Sequence, residues 1–297
     1  MKFFTLLRAL LLQLLLVPVH VLAGNVRAIF LYKDLRKSDI NAIKSGGYNT
    51  AVIYGFRLLT TGNIVYTGSN TPGSSDLLVA AQGNYVGGDD LAARVRSLKQ
   101  GSEIRRVEIT IDAMMLRDLM KNPGTGPNLQ FSRNLAALKQ AWNLDAILHW
   151  DEIVYLYKPA RDFGIMAGNL GFKFSLMTFH LDLLGGWYDL RYDINKNRPA
   201  NDPTLDRFYV KCFNDSGGSY PPWWGKQLKQ EMVPLLWTTN DAVPKYGNTP
   251  AQAKDKLIKW RNDGNWIGGG AFWRDHDIEA KGLSYQQYGQ VLKELFP

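Results

Sequence analysis

Eight short apolar runs of strand length alternate along the chain with segments that have the apolar periodicity of amphipathic helices. The strand candidates are residues 26–33, 50–59, 106–113, 144–150, 173–180, 208–213, 233–238 and 266–273. The helix candidates include residues 37–44, 90–99, 131–142, 154–167, 224–231, 250–262 and 285–295. This alternation predicts an α/β fold, a single-domain (β/α)8 TIM barrel. An open doubly wound sheet is the alternative, but no Gly-rich turn follows the first strand.

The first 23 residues have the features of a secretory signal peptide. Lys2 and Arg8 precede a Leu-rich run, and Val21-Leu22-Ala23 forms a small-residue cleavage site before Gly24. We therefore expect a signal peptide over 1–23, a barrel domain over 24–297 and a secreted, extracellular product. No later stretch approaches transmembrane length, so no membrane association is expected after the signal is removed.

Composition limits the binding partners and cofactors that we expect. The formal net charge is +8, but the basic residues form no run, and we predict no nucleic-acid partner. Cys212 is the single cysteine, so no intramolecular disulfide can form and stability must come from the core. The few histidines lack zinc-site spacing, and we predict neither a metal nor a cofactor. We expect a monomer.

The stretch from Leu144 to Glu152 is the most informative part of the chain for function. A mostly apolar run ends at Trp150 and is followed at once by Asp151 and Glu152. Because side chains alternate along a strand, Trp150 and Glu152 should share one side and His149 and Asp151 the other. Carboxylates at the carboxyl end of a barrel strand lie where catalytic groups usually sit.

The order of acids in this stretch resembles strand four of glycoside hydrolase family 18, the chitinases and endo-β-N-acetylglucosaminidases. The family motif is DxxDxDxE, and the endo-β-N-acetylglucosaminidase version often reads DxxDxDDE. On this chain Asp145 matches the first acid, Asp151 the extra acid and Glu152 the proton donor, whereas Leu148 and Trp150 replace the two middle acids. The catalytic candidates implied are Glu152 and Asp151.

Other strand ends carry the resemblance in weaker form. Residues 50–56 resemble the family strand that ends in Tyr-Ala-Phe, and residues 268–273 resemble its Gly-Gly-x-x-x-Trp ending, whose Trp forms the floor beneath the bound sugar. Residues 210–214 occupy the place of Gln-x-Tyr-Asn, and residues 110–113 that of Ser-x-Gly-Gly. The implied substrate-binding residues are Tyr54, Asp112, Trp150, Phe213, Asn214 and Trp273.

Family 18 hydrolysis depends on the substrate's own acetamido oxygen, which attacks the anomeric carbon. A Glu protonates the leaving oxygen, and the Asp two residues before it orients the acetamido group. Glu152 can supply the first function, but Trp150 has no charge and a single N–H donor. Another aspartate could substitute, at about 5 Å from Glu152 for a retaining pair or about 6.5 to 9.5 Å for an inverting one. The aspartates that follow strand candidates are Asp112, Asp182, Asp215, Asp241 and Asp275.

Several residues have a structural alternative. Asp151 is expected to cap the next helix, and Trp150 could fill the barrel core instead of stacking on a sugar. Asn214 begins a glycosylation sequon, which would compete with ligand binding. The aromatics at 187–188 and 220–224 read as loop residues able to stack on sugars, or as packed loop and first helical turn.

These observations predict a secreted barrel that recognises oligosaccharides or polysaccharides containing N-acetylglucosamine, through Glu152, Trp273 and other mouth aromatics. Hydrolysis is expected to be impaired. Two alternatives stay open: an active endo-acting glycosidase with Glu152 as acid, and a non-catalytic inhibitor or interaction protein on a barrel scaffold.

Overall fold

The computed structural model of the 297-residue chain describes residues 25–68, 74–151, 156–178, 184–213 and 219–297. The predicted signal peptide, Glu152 and Asn214 lie outside these ranges. Within them, no helix is long and apolar enough to cross a membrane.

Eight parallel strands close into a barrel, which confirms the predicted fold. They are β1 (Val26–Leu31), β2 (Thr50–Ile53), β7 (Arg106–Asp112), β8 (Ala146–Trp150), β9 (Lys173–Thr178), β10 (Leu205–Lys211), β11 (Val233–Trp237) and β12 (Gly269–Trp273). Neighbours in the barrel follow this order, and β12 pairs with β1 to close it. All eight carboxyl ends therefore meet at one end of the barrel, which we call the mouth.

The described helices surround the barrel. They are α1 (Ile40–Ser45), α2 (Asp89–Ser97), α3 (Ala113–Leu119), α4 (Gly126–Trp142), α5 (Tyr157–Asn169), α6 (Leu184–Asn195), α7 (Pro221–Leu228), α8 (Pro250–Asn262), α9 (Asp275–Ala280) and α10 (Tyr285–Leu295). Side-chain hydrogen bonds to the backbone fix where several of these helices begin. For example, Thr249 with Gln252 and Ser284 with Gln287 form capping boxes at the beginnings of α8 and α10.

An antiparallel sheet of four strands interrupts the alternation after β2. It comprises β3 (Phe56–Leu58), β4 (Ile64–Tyr66), β5 (Leu77–Ala81) and β6 (Asn84–Tyr85). The predicted single strand over 50–59 was wrong, because Gly55, at φ 98°, separates β2 from β3. The sheet is held on α4 by Asn134, which donates to the carbonyl of Gly62 at 2.8 Å and accepts from Gly83 N at 2.8 Å.

The loop interpretation of the aromatics at 187–188 was wrong, whereas for 220–224 the alternative of a first helical turn begun by proline is confirmed. Trp187 and Tyr188 lie on helix α6, not in a loop, and Trp187 is fully buried. The stretch from Pro221 begins α7, with Trp224 fully buried. Both segments have apolar residues at helical spacing, and Pro at the first position of α7 is compatible with a helix because that position needs no N–H partner. Neither buried indole can stack on a sugar.

Alternation along the barrel strands divides the buried side chains into two cores. One lies between the barrel and the helices. The other fills the barrel interior and comprises Val26, Ala28, Phe30, Val52, Leu148, Trp150, Met177, Tyr209, Phe213, Val233, Leu235, Ala271 and Trp273. Consecutive strand residues face opposite cores, so the sequence position of a side chain decides which core it enters.

The end of the interior opposite the mouth is polar. Glu108 is fully buried, and its Oε1 accepts from Arg106 Nε at 2.8 Å, Arg207 Nη1 at 2.8 Å and the Tyr209 hydroxyl at 3.1 Å. Arg106 Nη2 also donates to Asp206 Oδ1 at 3.0 Å. Two guanidinium groups and two carboxylates thus balance one another. We call Arg106, Glu108, Asp206, Arg207 and Tyr209 the base network.

Candidate functional site at the barrel mouth

Strand β8 directs Trp150 into the barrel and His149 out of it. Leu148 and Trp150 belong to the interior core, whereas the His149 ring stacks on Phe174, with ring centroids 6.1 Å apart, in the helix-facing core. Trp150 is the last residue of β8 and is only 5% exposed. The predicted alternation of faces is therefore confirmed at this strand. The position that the family resemblance gives to an aspartate holds a buried indole.

Trp150 packs against aromatic rings from three other strands or strand ends. Its ring centroid lies 5.2 Å from that of Trp273, 5.4 Å from that of Tyr54 and 5.9 Å from that of Phe30. Tyr32 in turn lies 5.2 Å from Trp273. These edge-to-face and tilted contacts are favourable ring geometries. Trp273 is 7% exposed, so both indoles are buried at this end of the barrel.

A second group of rings extends the cluster towards β11. Phe213 is buried, and its ring centroid lies 5.0 Å from that of Trp237 and 6.2 Å from that of Trp273. We call Tyr32, Tyr54, Trp150, Phe213, Trp237 and Trp273 the mouth cluster. Within it Tyr32, Tyr54 and Trp237 are half-buried and form the accessible rim.

Charged groups lie beside the rim rings. The Arg274 guanidinium carbon is 4.4 Å from the Tyr32 ring centroid, and its Nε donates to Asp277 Oδ2 at 2.9 Å. The same carboxylate oxygen accepts from Trp237 Nε1 at 2.8 Å. Lys211 Nζ lies 5.1 Å from the Phe213 ring centroid. Arg274 and Asp277 are largely buried and bonded to each other, so they fix the positions of the Tyr32 and Trp237 rings.

The structure brings together four of the rings named from the sequence, Tyr54, Trp150, Phe213 and Trp273, and their part in substrate binding stays a prediction. Sequence reasoning missed Tyr32, Trp237 and Arg274. Tyr32 is two positions after Phe30, and Trp237 is two after Leu235, so both continue an interior-facing alternation. That alternation was the available signal for the two rings.

Asp112 occupies a mouth position but already has a structural role. It is the register partner of Trp150 on the neighbouring strand. Its side chain accepts a hydrogen bond from Met114 N at 2.8 Å and caps helix α3. Its assignment to substrate binding stays a prediction.

Asp112→Ala is expected to lower the free energy of unfolding by about 1 kcal/mol, because the amide of Met114 loses its cap. Asp112→Asn keeps an acceptor oxygen and should match the wild type in urea denaturation. If the asparagine variant kept its stability but lost glycan affinity, the carboxylate would be assigned to the ligand.

Asp151 lies on the other side of β8 from Trp150. It is 1% exposed, and its Oδ2 is 4.0 Å from Nε2 of the buried His149. Burial lowers the pKa of His149 to about 4, so the imidazole is neutral at physiological pH. This helix-facing position is the one expected from alternation, and it does not face the mouth cluster. A catalytic part for Asp151 stays a prediction, as do the assignments of Glu152 and Asn214.

Asp275 is a buried carboxyl immediately behind the rim. It follows the end of β12, and its Oδ1 accepts from the backbone N–H groups of Tyr32 at 2.7 Å, Lys33 at 3.0 Å and His276 at 2.7 Å. Burial raises the pKa of Asp275 to about 7 despite these hydrogen bonds, and the charge of Glu279 adds to the rise. Asp275 therefore holds the end of β1 against the end of β12, which positions Tyr32 in the rim.

Solved chitinase structures are similar to this chain in fold. A chitinase from Bacteroides thetaiotaomicron matches with a TM-score of 0.57 at 10% sequence identity, over 91% of this chain and 97% of that chain. The catalytic domain of a family GH18 chitinase from the fern Peteris ryukyuensis matches with a TM-score of 0.57 at 11% identity, over 91% and 99%.

A third match is active domain 2 of a thermostable chitinase from Pyrococcus furiosus, solved as catalytic-site mutants complexed with chito-oligosaccharides. Its TM-score is 0.56 at 12% identity, over 91% of this chain and 96% of that chain. No protein-family model matches the sequence, and no curated protein matches it. The chain thus has the TIM-barrel fold seen in the family 18 chitinases. Sequence identities this low support the similarity of fold and nothing further.

Proposed function

We propose that this protein is a secreted glycan-recognition protein on a chitinase-like barrel, with hydrolysis impaired. The observation that carries the proposal is the position of Trp150. It faces the interior two residues before Glu152 and packs 5.2 Å, centroid to centroid, from Trp273. An indole offers neither the charge nor the second hydrogen bond with which an aspartate would stabilise an acetamido intermediate. Removing such electrostatic stabilisation typically costs several kcal/mol in the activation barrier.

The rim of the mouth cluster supports recognition of a sugar. Tyr32, Tyr54 and Trp237 are half-buried, so each ring has a supported edge and an accessible part. Flat aromatic faces stack on the apolar faces of pyranose rings, and the Arg274–Asp277 pair, which is largely buried, holds the Tyr32 and Trp237 rings in position for such stacking. The chito-oligosaccharide complex of the Pyrococcus furiosus domain supports N-acetylglucosamine-containing chains as the first ligands to test. Secretion is supported by the signal-like sequence of residues 1–23.

The second candidate is a non-catalytic interaction protein that uses the outer surface of the barrel. The burial of Trp150 and Trp273, at 5% and 7% exposure, favours it. Buried indoles present little ring surface to a sugar at the centre of the mouth, so the two candidates differ in whether the mouth binds a glycan at all.

The test is titration of the chain from Gly24 onward with chitooligosaccharides and with a high-mannose glycopeptide, by calorimetry for binding and by mass spectrometry for products. We expect binding without release of products. Trp237→Ala should weaken binding by about tenfold, because one stacking ring is lost. Trp266→Ala is the matched control, since this half-buried indole lies before β12 at the opposite end of the barrel.

Glu152→Gln separates the remaining outcomes. Product release by the wild type that disappears in Glu152→Gln would establish an active glycosidase and overturn the proposed impairment. Absence of binding to every glycan, with a folded protein, would leave the interaction protein as the better account.

A further inference from the structure

A groove on the outer surface, away from the mouth cluster, has an unusual lining. It has a volume of about 440 Å³ and lies between α6, the end of α7 and the segment that leads into β10. Tyr188, Arg191, Tyr192 and Asn195 of α6 line one wall. Their spacing of three, four and seven positions places them on one face of the helix, while Trp187, Leu190 and Ile194 fill the core behind it.

The two tyrosines are unusually exposed for aromatic residues. Tyr188 is 55% exposed and Tyr192 is 64% exposed, although all three core residues of the same helix are buried. Side chains four positions apart on a helix lie on the same face, so both rings face the groove. Exposed apolar surface of this kind is unfavourable in water unless a partner covers it.

The opposite wall is held in a defined shape. Asn195 Nδ2 donates to the carbonyl of Leu205, and its Oδ1 accepts from Leu205 N, both at 2.8 Å. These bonds fasten the segment between α6 and β10, which contains Pro199 and Pro203. Arg191 Nη1 donates to the carbonyl of Leu228 at 2.8 Å and joins α6 to the end of α7. A ligand would therefore meet a preformed groove and would not have to order it.

The charge of the groove is one-sided. Its cationic lining residues are Arg191, Lys196, Arg198 and Lys229, and none of the residues that the structure places in the lining is acidic. Arg198 also donates to Asn169 Oδ1 at 2.9 Å. Lys196 Nζ lies 3.0 Å from Asp193 Oδ1, and the same carboxylate accepts from the Tyr157 hydroxyl. These contacts orient the cations at the edges of the groove and leave an excess of positive charge.

We propose that this groove is a second glycan site that binds an acidic oligosaccharide, one whose pyranose rings carry carboxylate or sulfate groups. Pyranose faces would stack on Tyr188 and Tyr192, and the anionic substituents would pair with Lys196, Arg198 and Lys229. An acidic peptide fits less well, because Leu205, the lining residue that belongs to β10, already has its N–H and carbonyl bonded to Asn195 and so cannot pair with an added strand. The site is independent of the function proposed for the mouth.

The experiment uses calorimetry on the chain from Gly24 onward at two salt concentrations. The probes are a heparin-derived hexasaccharide, an oligogalacturonate of the same length, neutral chitohexaose, a glutamate-rich peptide and a single-stranded oligonucleotide. We expect at least one acidic oligosaccharide to bind more tightly than the peptide and the oligonucleotide. The sulfated and carboxylated probes together identify which anionic substituent the groove prefers.

Two variants test the two halves of the site. Tyr188→Ala with Tyr192→Ala should weaken binding by about tenfold or more, and both positions are exposed, so folding should be retained. Lys196→Gln with Arg198→Gln should weaken binding and reduce its dependence on salt. Arg117→Gln with Lys121→Gln removes the same charge from another exposed surface and should change neither.

Three outcomes would overturn the proposal: no binding of either acidic oligosaccharide, equal binding by the wild type and the double tyrosine variant, or tighter binding of the peptide or oligonucleotide at the same residues. Trp237→Ala, which alters the mouth cluster, tests whether binding at the groove depends on the mouth. Acidic-glycan binding that survives in Trp237→Ala supports the groove whether or not the mouth binds chitooligosaccharides.

Discussion

Glu108→Ala is expected to destabilise the protein by about 3 to 5 kcal/mol, the range for removing one partner from a buried ion pair. Glu108 is fully buried in the barrel interior, and its Oε1 accepts from Arg106, Arg207 and Tyr209. Without it, two largely buried guanidinium groups have only Asp206 as an anionic partner within the base network. A buried charge that loses its partner retains its desolvation cost and loses the compensating attraction.

Urea denaturation followed by tryptophan fluorescence measures the effect. For a chain of this size we expect the midpoint to fall by more than about 1 M. Glu108→Gln keeps an acceptor oxygen and should lie between the wild type and Glu108→Ala, so it remains informative if the alanine variant does not fold. Glu294→Ala is the matched control, because this glutamate pairs with Lys254 on the surface and should leave the midpoint unchanged. A Glu108→Ala midpoint equal to that of the wild type would refute a stabilising base network.

Asp275→Asn is expected to raise stability at pH 8 while leaving it nearly unchanged near pH 3.5. The pKa of Asp275 in the folded protein is about 7, against 3.8 for the ordinary side chain. As pH rises between these values the unfolded chain releases the proton and the folded chain keeps it. Asp275 therefore stabilises the folded protein fully when the pH is below about 3.8. This stabilisation, about 4 kcal/mol at most, is lost as the pH rises to about 7.

The asparagine side chain has no charge at any of these pH values and keeps the oxygen that accepts from Tyr32, Lys33 and His276. The measurement is the thermal midpoint of both proteins between pH 3.5 and pH 8.5. We expect the two curves to separate with rising pH and the difference to level off above pH 7. Asp255→Asn makes the same chemical change at an exposed position of α8 and should show no such separation. Parallel curves for Asp275→Asn and the wild type would show that the buried carboxyl titrates as an ordinary one.

The barrel could be predicted from the sequence because its signals are local. Strand β8 was expected over 144–150 and spans Ala146–Trp150, and the amphipathic spacing from Phe131 to Trp142 lies within α4. The sheet β3–β6 was missed, since its strands are two to five residues long. Periods over so few residues do not distinguish a short antiparallel strand from a loop.

The candidate site was predictable in part for a related reason. Alternation along a strand assigns Trp150 to the interior and Asp151 to the helix side, as the structure has them. It also carries Tyr32 and Trp237 into the interior. It does not tell which of the interior residues lie at the same height, because that depends on the register between strands.

From the order of residues alone one can infer the alternation of strands and helices and the face on which each strand side chain lies, including the interior position of Trp150. The contacts between distant residues are determined only when the barrel closes. Closure brings Trp150 against Trp273, pairs Glu108 with Arg207 across 99 positions of sequence, and buries Asp275 so that its pKa rises to about 7. These contacts join residues far apart in the chain, and their energies depend on burial, which no local pattern of residues specifies.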